Sequence, residues 1–167
     1  AGAEGLIFLP YLQGERAPLW NSNARAVYFG MNITHQPRHF IRATLEGIIF
    51  ELFSIAKAIQ KYRKFDGLHL NGSYTSSPLW SQIIADVFGM PVSVSTYNQS
   101  QNLGAAMLGL TTLGVFENLE AAKSIIPENQ ELNPSHAKHK IYTKVFSSFE
   151  SITYKLGEEF AEIAHLQ

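Results

Sequence analysis

A chain of 167 residues, 46% hydrophobic and 16% charged, is long enough to bury a core and reads as one domain or part of a larger one. Its formal net charge of −1 leaves no basic footprint, so nucleic acid is not expected as a partner. Without cysteine there are no disulfides or thiolate metal sites, and no apolar run approaches the roughly 20 residues of a membrane span.

A soluble, cytoplasmic protein with no membrane partner is therefore expected. The opening Ala1-Gly2-Ala3-Glu4-Gly5 has neither a methionine nor a basic leader, which suggests a piece of a longer chain.

In chain order, residues 6–12 are an apolar run expected to be an extended entry segment, and residues 13–23 a proline-stiffened loop around Glu15 and Arg16. Residues 25–33 alternate, with Val27, Phe29, Met31 and Ile33 on one face, and are expected to form a strand. Ile41, Leu45, Ile48, Leu52, Ile55 and Ile59 recur at helical spacing from residue 38 to 62. Pro37 suits the first turn of that helix. Arg42 and Glu46 lie four apart on it; taken alone, they read as a helix-surface ion pair worth a few tenths of a kcal/mol.

Residues 67–71 form a short strand, followed by the small-residue turn Gly72-Ser73-Tyr74-Thr75-Ser76. Ser77 and Pro78 fit the N-cap and first position of a helix over 77–88 that stops at Gly89. A strand passing through a glycine turn into a helix N-terminus lets a nucleotide approach the backbone. An ordinary strand-to-helix connection explains the same residues. Residues 91–95 are another short strand, Ser100 is expected to cap a helix over 101–114, and Gly104, Ala105 and Ala106 suit tight packing on a neighbour. The alternation implies parallel crossovers and a layered α/β domain. Residues 119–125 read as a short helix, 127–134 as a polar loop, and the chain from His136 as one long helix with Ile141, Val145, Phe149, Ile152, Leu156, Phe160 and Ile163 on a stripe.

The chemistry is sparse. Neither a phosphate loop nor a dinucleotide fingerprint occurs. His35 with His39, and His136 with His139, lack a third ligand in register, so no metal site is assigned.

The runs Ala26-Val27-Tyr28-Phe29-Gly30-Met31 and His39-Phe40-Ile41-Arg42-Ala43-Thr44-Leu45-Glu46-Gly47 together resemble the C-terminal signature of the FGGY carbohydrate kinases. Three further blocks agree in order: Pro10-Tyr11-Leu12 with residues 14–20, Gly72 through Asp86, and Leu103-Gly104-Ala105-Ala106. Together the blocks cover residues 5 to 115, and the wording is most similar to the gluconate kinase branch, with xylulose kinases next.

The resemblance implies a ribonuclease-H-like, actin-like α/β fold. Residues 1–167 would be the C-terminal, nucleotide-side domain of a two-domain kinase, incomplete at its N-terminal side. It implies ATP and Mg²⁺ as cofactors, a sugar or sugar acid as substrate, and phosphoryl transfer to gluconate. No catalytic residue would lie in this chain, the base being upstream, so the fragment alone would be inactive. Gly72, Ser73 and Ser77 would face the nucleoside, with Ser73 departing from the family's usual second glycine, and Arg16 would either contribute to the substrate cleft or brace its own loop. Arg42 and Glu46 would form a hinge or cleft ion pair rather than a surface one, with a structural duty the preferred reading. A non-catalytic nucleotide- or sugar-sensing module of the same fold is the alternative, and the C-terminal apolar stripe would suit a homodimer interface.

Overall fold

The apolar run from Leu6 is extended, as expected, but as a core strand rather than a mere entry: β1 (Ile7–Leu9) is buried throughout and pairs antiparallel with β2 (Val27–Phe29). The computed structural model describes residues 1–97 and 99–166; the side chain of Ser73 lies outside the described residues. The chain divides into two compact units.

The first unit takes in Ala1–Phe65, Asp86–Gly89 and Pro134–Gln167. Its centre is α1 (Pro37–Gln60), which starts at Pro37 as the sequence suggests. The buried face is not the aliphatic stripe, however. Ile41 and Ile59 are exposed, whereas Ala43, Gly47, Ile49 and Phe50 are buried. Small residues win that face because β1 packs directly on it: a Cβ on Gly47 would collide with the Phe8 carbonyl oxygen. The alternating segment yields only three strand residues, since Gly30 turns at φ +84° with its Cα side against the Gly5 carbonyl oxygen, leaving Met31 and Ile33 exposed.

The C-terminal helix is two helices, α5 (His136–Lys155) and α6 (Gly157–Ala164), broken at Leu156. Their buried residues are Tyr142, Phe146, Phe149 and Phe160, while Ile141 and Ile163 of the expected stripe stay exposed. Phe50 meets the rings of Tyr142, Phe146 and Phe149 at centroid distances of 6.0, 5.8 and 5.5 Å, an aromatic core joining α1 to α5.

The second unit takes in Asp66–Ala85 and Met90–Asn133. Its sheet runs β3 (Leu68–Leu70), β4 (Val92–Val94), β5 (Gln130–Leu132), with β3 and β4 parallel and β5 antiparallel to β4. The expected polar loop thus contains a strand: Gln130, Glu131 and Leu132 pair with Val94, Ser93 and Val92, so the ladder rather than side-chain alternation fixes its conformation.

A 3-10 turn over Gly72–Ser76 leads into α2 (Pro78–Phe88), where Ser77 Oγ accepts from Trp80 N–H at 3.3 Å. The N-cap reading of Ser77 therefore holds. Beyond β4 come α3 (Ser100–Thr112) and the short α4 (Leu119–Ala122). Ser100 is not the cap of α3, which begins after Gln99. Nor do the small residues at its start pack on a neighbour, since a Cβ on Gly104 would meet only open space.

Candidate functional site

In the second unit, β3 and β4 run side by side and end at the same level, where Ser95 N–H donates to Leu70 C=O at 3.0 Å. The crevice beyond the carboxyl ends of parallel strands is where open α/β sheets bind ligands. A cavity of about 340 Å³ opens there, its floor made by Leu70, Leu103 and Met107 and its polar groups by Asn71, Ser95, Ser100 and Asn129. That volume is at the lower end of the roughly 300–1,000 Å³ of small-molecule sites.

The polar rim is held by its own hydrogen bonds. Ser100 Oγ stands 3.0 Å from both Asn71 Oδ1 and Tyr97 C=O, and a hydroxyl donates to only one of them at a time. Ser95 Oγ donates to Tyr97 C=O at 3.0 Å, and Asn129 Nδ2 donates to Ser93 Oγ at 2.9 Å. Gly104 supplies a wall without a side chain. Among the described residues no lysine or arginine lines this cavity, and His69 is its one basic side chain. Such a surface suits the base and sugar of a nucleoside better than its phosphates, which call for cations or a nest of N–H groups.

Of the residues singled out from sequence, Gly72 follows Asn71 directly and turns at φ +79° with open space where a Cβ would stand. Gly72 and Ser77 border the turn but are not among the described lining residues, and the hydroxyl of Ser77 is engaged in capping α2. The side chain of Ser73 is outside the described residues. Asn71, Ser95, Ser100 and Asn129 were missed as site residues. The signal was available for the first two, because each is the last residue of a strand that the sequence had marked.

Arg16 lies in the first unit, in a loop closed by paired backbone bonds between Glu15 and Asn21, both 2.9 Å. The Arg16 carbonyl accepts from Trp20 N–H, and Arg16 N–H donates to Glu15 Oε1 at 2.8 Å. Its guanidinium meets no acceptor among the described residues, and it shares a cavity of about 490 Å³ with Gln13, Glu15 and Trp20, whose ring is 77% exposed. An unpaired guanidinium beside an exposed indole can take an anionic or polyhydroxylated group.

Arg42 and Glu46 are not a surface pair. Glu46 is 2% exposed, and its Oε1 accepts from Arg42 Nε at 2.6 Å and from Gly2 N–H at 3.0 Å. His35 and His39 stack edge-on at 5.5 Å. Among the described residues no group of three or more His, Asp or Glu side chains could hold a metal ion, and no helix is long and apolar enough to cross a membrane.

Residues 1–113 match the sequence profile described as the FGGY family of carbohydrate kinases, C-terminal domain. A gluconokinase of Bacillus licheniformis is 35% identical over 99% of this chain, which covers 33% of that protein. The chain spans about a third of the length of the curated relatives it matches. Among solved structures, a ligand-bound xylulose kinase of Lactobacillus acidophilus superposes with a TM-score of 0.86 at 32% identity, over 98% of this chain and 34% of that one. A gluconate kinase from the same organism gives 0.84 at 31% identity, over 98% and 33%. A glycerol kinase of Plasmodium falciparum, solved with ADP, gives 0.72 at 27% identity, over 90% and 31%.

Proposed function

Because the chain belongs to the FGGY family of carbohydrate kinases, matching its C-terminal domain, we propose that it is the nucleotide-side domain of an enzyme phosphorylating gluconate from MgATP. Its fold is the mixed α/β, actin-like fold of those kinases. The first domain and the opening hairpin of this one would lie upstream. The observation that carries the nucleotide assignment is the crevice at the ends of β3 and β4, polar at Asn71, Ser95, Ser100 and Asn129 and, among the described residues, without lysine or arginine. The ADP in the Plasmodium glycerol kinase structure supports an adenine nucleotide as its occupant.

On this reading Asn71 and the crevice hold the adenosine. Gly72, Ser73 and Ser77 form the turn beside it, and Arg16 contributes to the sugar cleft. Mg²⁺ supplies charge neutralisation on the phosphates; with no carboxylate cluster among the described residues, none of them is assigned to it. The base that takes the sugar hydroxyl proton would come from the upstream domain. Phosphoryl transfer is mostly positioning and electrostatics, so this chain by itself would bind without turning over. Its use of ATP would suit a cytoplasmic enzyme.

Gluconate is favoured by the Bacillus licheniformis relative. Xylulose is the second reading, since the xylulose kinase of Lactobacillus acidophilus is the better superposition, at 0.86 against 0.84. Coupled ADP release by the complete protein with gluconate, xylulose and glycerol separates them. Turnover fastest on gluconate, and none by the 167-residue chain alone, is the expected result. Preference for xylulose would move the substrate, and no turnover on any sugar would remove the kinase reading.

A further inference from the structure

The first unit holds a second cavity, of about 370 Å³, whose lining includes none of the residues assigned above to nucleotide or sugar, though Pro18 and Leu19 belong to the Arg16 loop. Tyr11, Pro18, Leu19, Phe149 and Tyr154 give it largely apolar walls, and Glu51 of α1 lines it from within. Glu51 is only 8% exposed, and its Oε1 is fully buried without a hydrogen-bond partner among the described residues. An orphaned buried carboxylate oxygen is costly and calls for an occupant that donates.

The other polar groups of the lining are already committed. The Tyr11 hydroxyl shares a hydrogen bond of 3.1 Å with Thr153 and also bonds to the Glu51 carboxylate, whose Oε1 is left unserved, and Ser54 Oγ donates to Phe50 C=O at 3.0 Å. Lys57 Nζ spans both carboxylate oxygens of Glu150 at 2.8 and 2.9 Å and lies 4.7 Å over the Phe146 ring. Lys61 is at the exposed rim. Burial pushes the Glu51 carboxyl up to about 7, the negative charge of Glu15 acts in the same direction, and Tyr11 opposes them. Among the described residues no cation pairs with Glu51, although two lysines line the same cavity.

We propose that this cavity binds a small aliphatic amine, its ammonium group paired with the Glu51 carboxylate and its chain lying against Leu19, Tyr11 and Phe149. A neutral hydroxyl would satisfy the orphan oxygen yet leave the charges of Glu51 and Glu15 unbalanced, and an anion would be repelled. An ammonium group answers both needs. The rings of Tyr11 and Phe149, with centroids 6.4 Å apart, add faces that attract a cation. The cavity volume falls within the small-molecule range. None of this depends on the kinase assignment.

The probe is n-pentylammonium chloride, titrated calorimetrically into the chain at pH 8, with 1-pentanol and pentanoate as neutral and anionic comparators. The ammonium should bind at least tenfold tighter than pentanol, and pentanoate should not bind. Affinity should fall toward tenfold per pH unit as the carboxyl protonates below about pH 7, and Glu51→Gln should remove at least tenfold. Should that variant fail to fold, carboxyl ¹³C titration of the unaltered chain decides: saturating pentylammonium should lower the Glu51 midpoint by a pH unit or more. Equal binding of pentanol, no binding of the amine, or an unmoved midpoint would each overturn the proposal.

Discussion

The Tyr142 hydroxyl donates to Glu46 Oε1 at 2.8 Å while accepting from Arg42 Nη2 at 2.6 Å, so one phenol ties α5 to both members of an ion pair on α1. Burial, aided by the charge of Glu46, holds the Tyr142 hydroxyl above the ordinary tyrosine range, so it remains a donor at neutral pH. Burial works against the charge on Arg42, but its bonds to Glu46 and Tyr142 outweigh that and raise its pKa overall. Removing the acceptor strands three donors. Glu46→Ala should destabilise the chain by about 3–5 kcal/mol, and Tyr142→Phe by about 1–3 kcal/mol, both read from urea unfolding midpoints. Loss under 1 kcal/mol for Glu46→Ala would mean that Arg42 and Tyr142 find other partners.

Gly47 and Gly109 give opposite expectations for the same substitution. A methyl group on Gly47 would strike the Phe8 carbonyl oxygen, while one on Gly109 meets nothing within 4 Å. Gly47→Ala should therefore cost about 1–3 kcal/mol through overpacking, and Gly109→Ala in the middle of α3 should stabilise by about 0.5–1 kcal/mol. Thermal unfolding of the two variants checks the pair.

These residues also show what was legible in the sequence. Pro37 at the start of α1, Ser77 and Pro78 at the start of α2, and Gly89 at its end carry local backbone chemistry that needs no knowledge of partners. The buried face of α1 was not legible. Periodicity pointed to Ile41 and Ile59, whereas close approach of β1 selected Ala43 and Gly47. β5 was hidden for a related reason, since Gln130-Glu131-Leu132 becomes a strand only by pairing with β4. The turn at Gly72 was visible, but the crevice beside it is assembled from Asn71, Ser95, Ser100 and Asn129, which come together only once the strands are in register. The Glu46 carboxyl looked like a helix-surface charge because burial of a long polar side chain leaves no mark on spacing.

The Glu51 carboxyl gives stability a pH dependence of predictable sign. Burial, with the Glu15 charge, raises it to about 7 in the folded chain against 4.5 when free. Between those values the native state holds the proton that the unfolded state has released, so stability falls as pH rises and levels off above about 7. The full effect is on the order of 3 kcal/mol. Unfolding midpoints from pH 4.5 to 8 should decline more steeply for the parent chain than for Glu51→Gln, with the variant the more stable of the two at pH 8. Parallel curves would show that Glu51 titrates normally.

Gly104 tests the crevice without disturbing the fold. It lines the cavity with no side chain, and the space where its Cβ would stand is empty. A leucine there would project into room that adenosine is proposed to fill, and it would not be penalised within α3, because leucine is a better helix former than glycine by about 0.5–1 kcal/mol. In the complete protein, Gly104→Leu should lower ADP affinity by at least tenfold in calorimetric titration, with a melting temperature equal to or above the parent's. Asn71→Ala should weaken ADP more mildly, since it removes one polar group and also frees Ser100 from its 3.0 Å contact. If Gly104→Leu binds ADP as the parent does, the nucleoside sits outside this crevice, and the turn at Gly72 and Ser77 becomes the place to search.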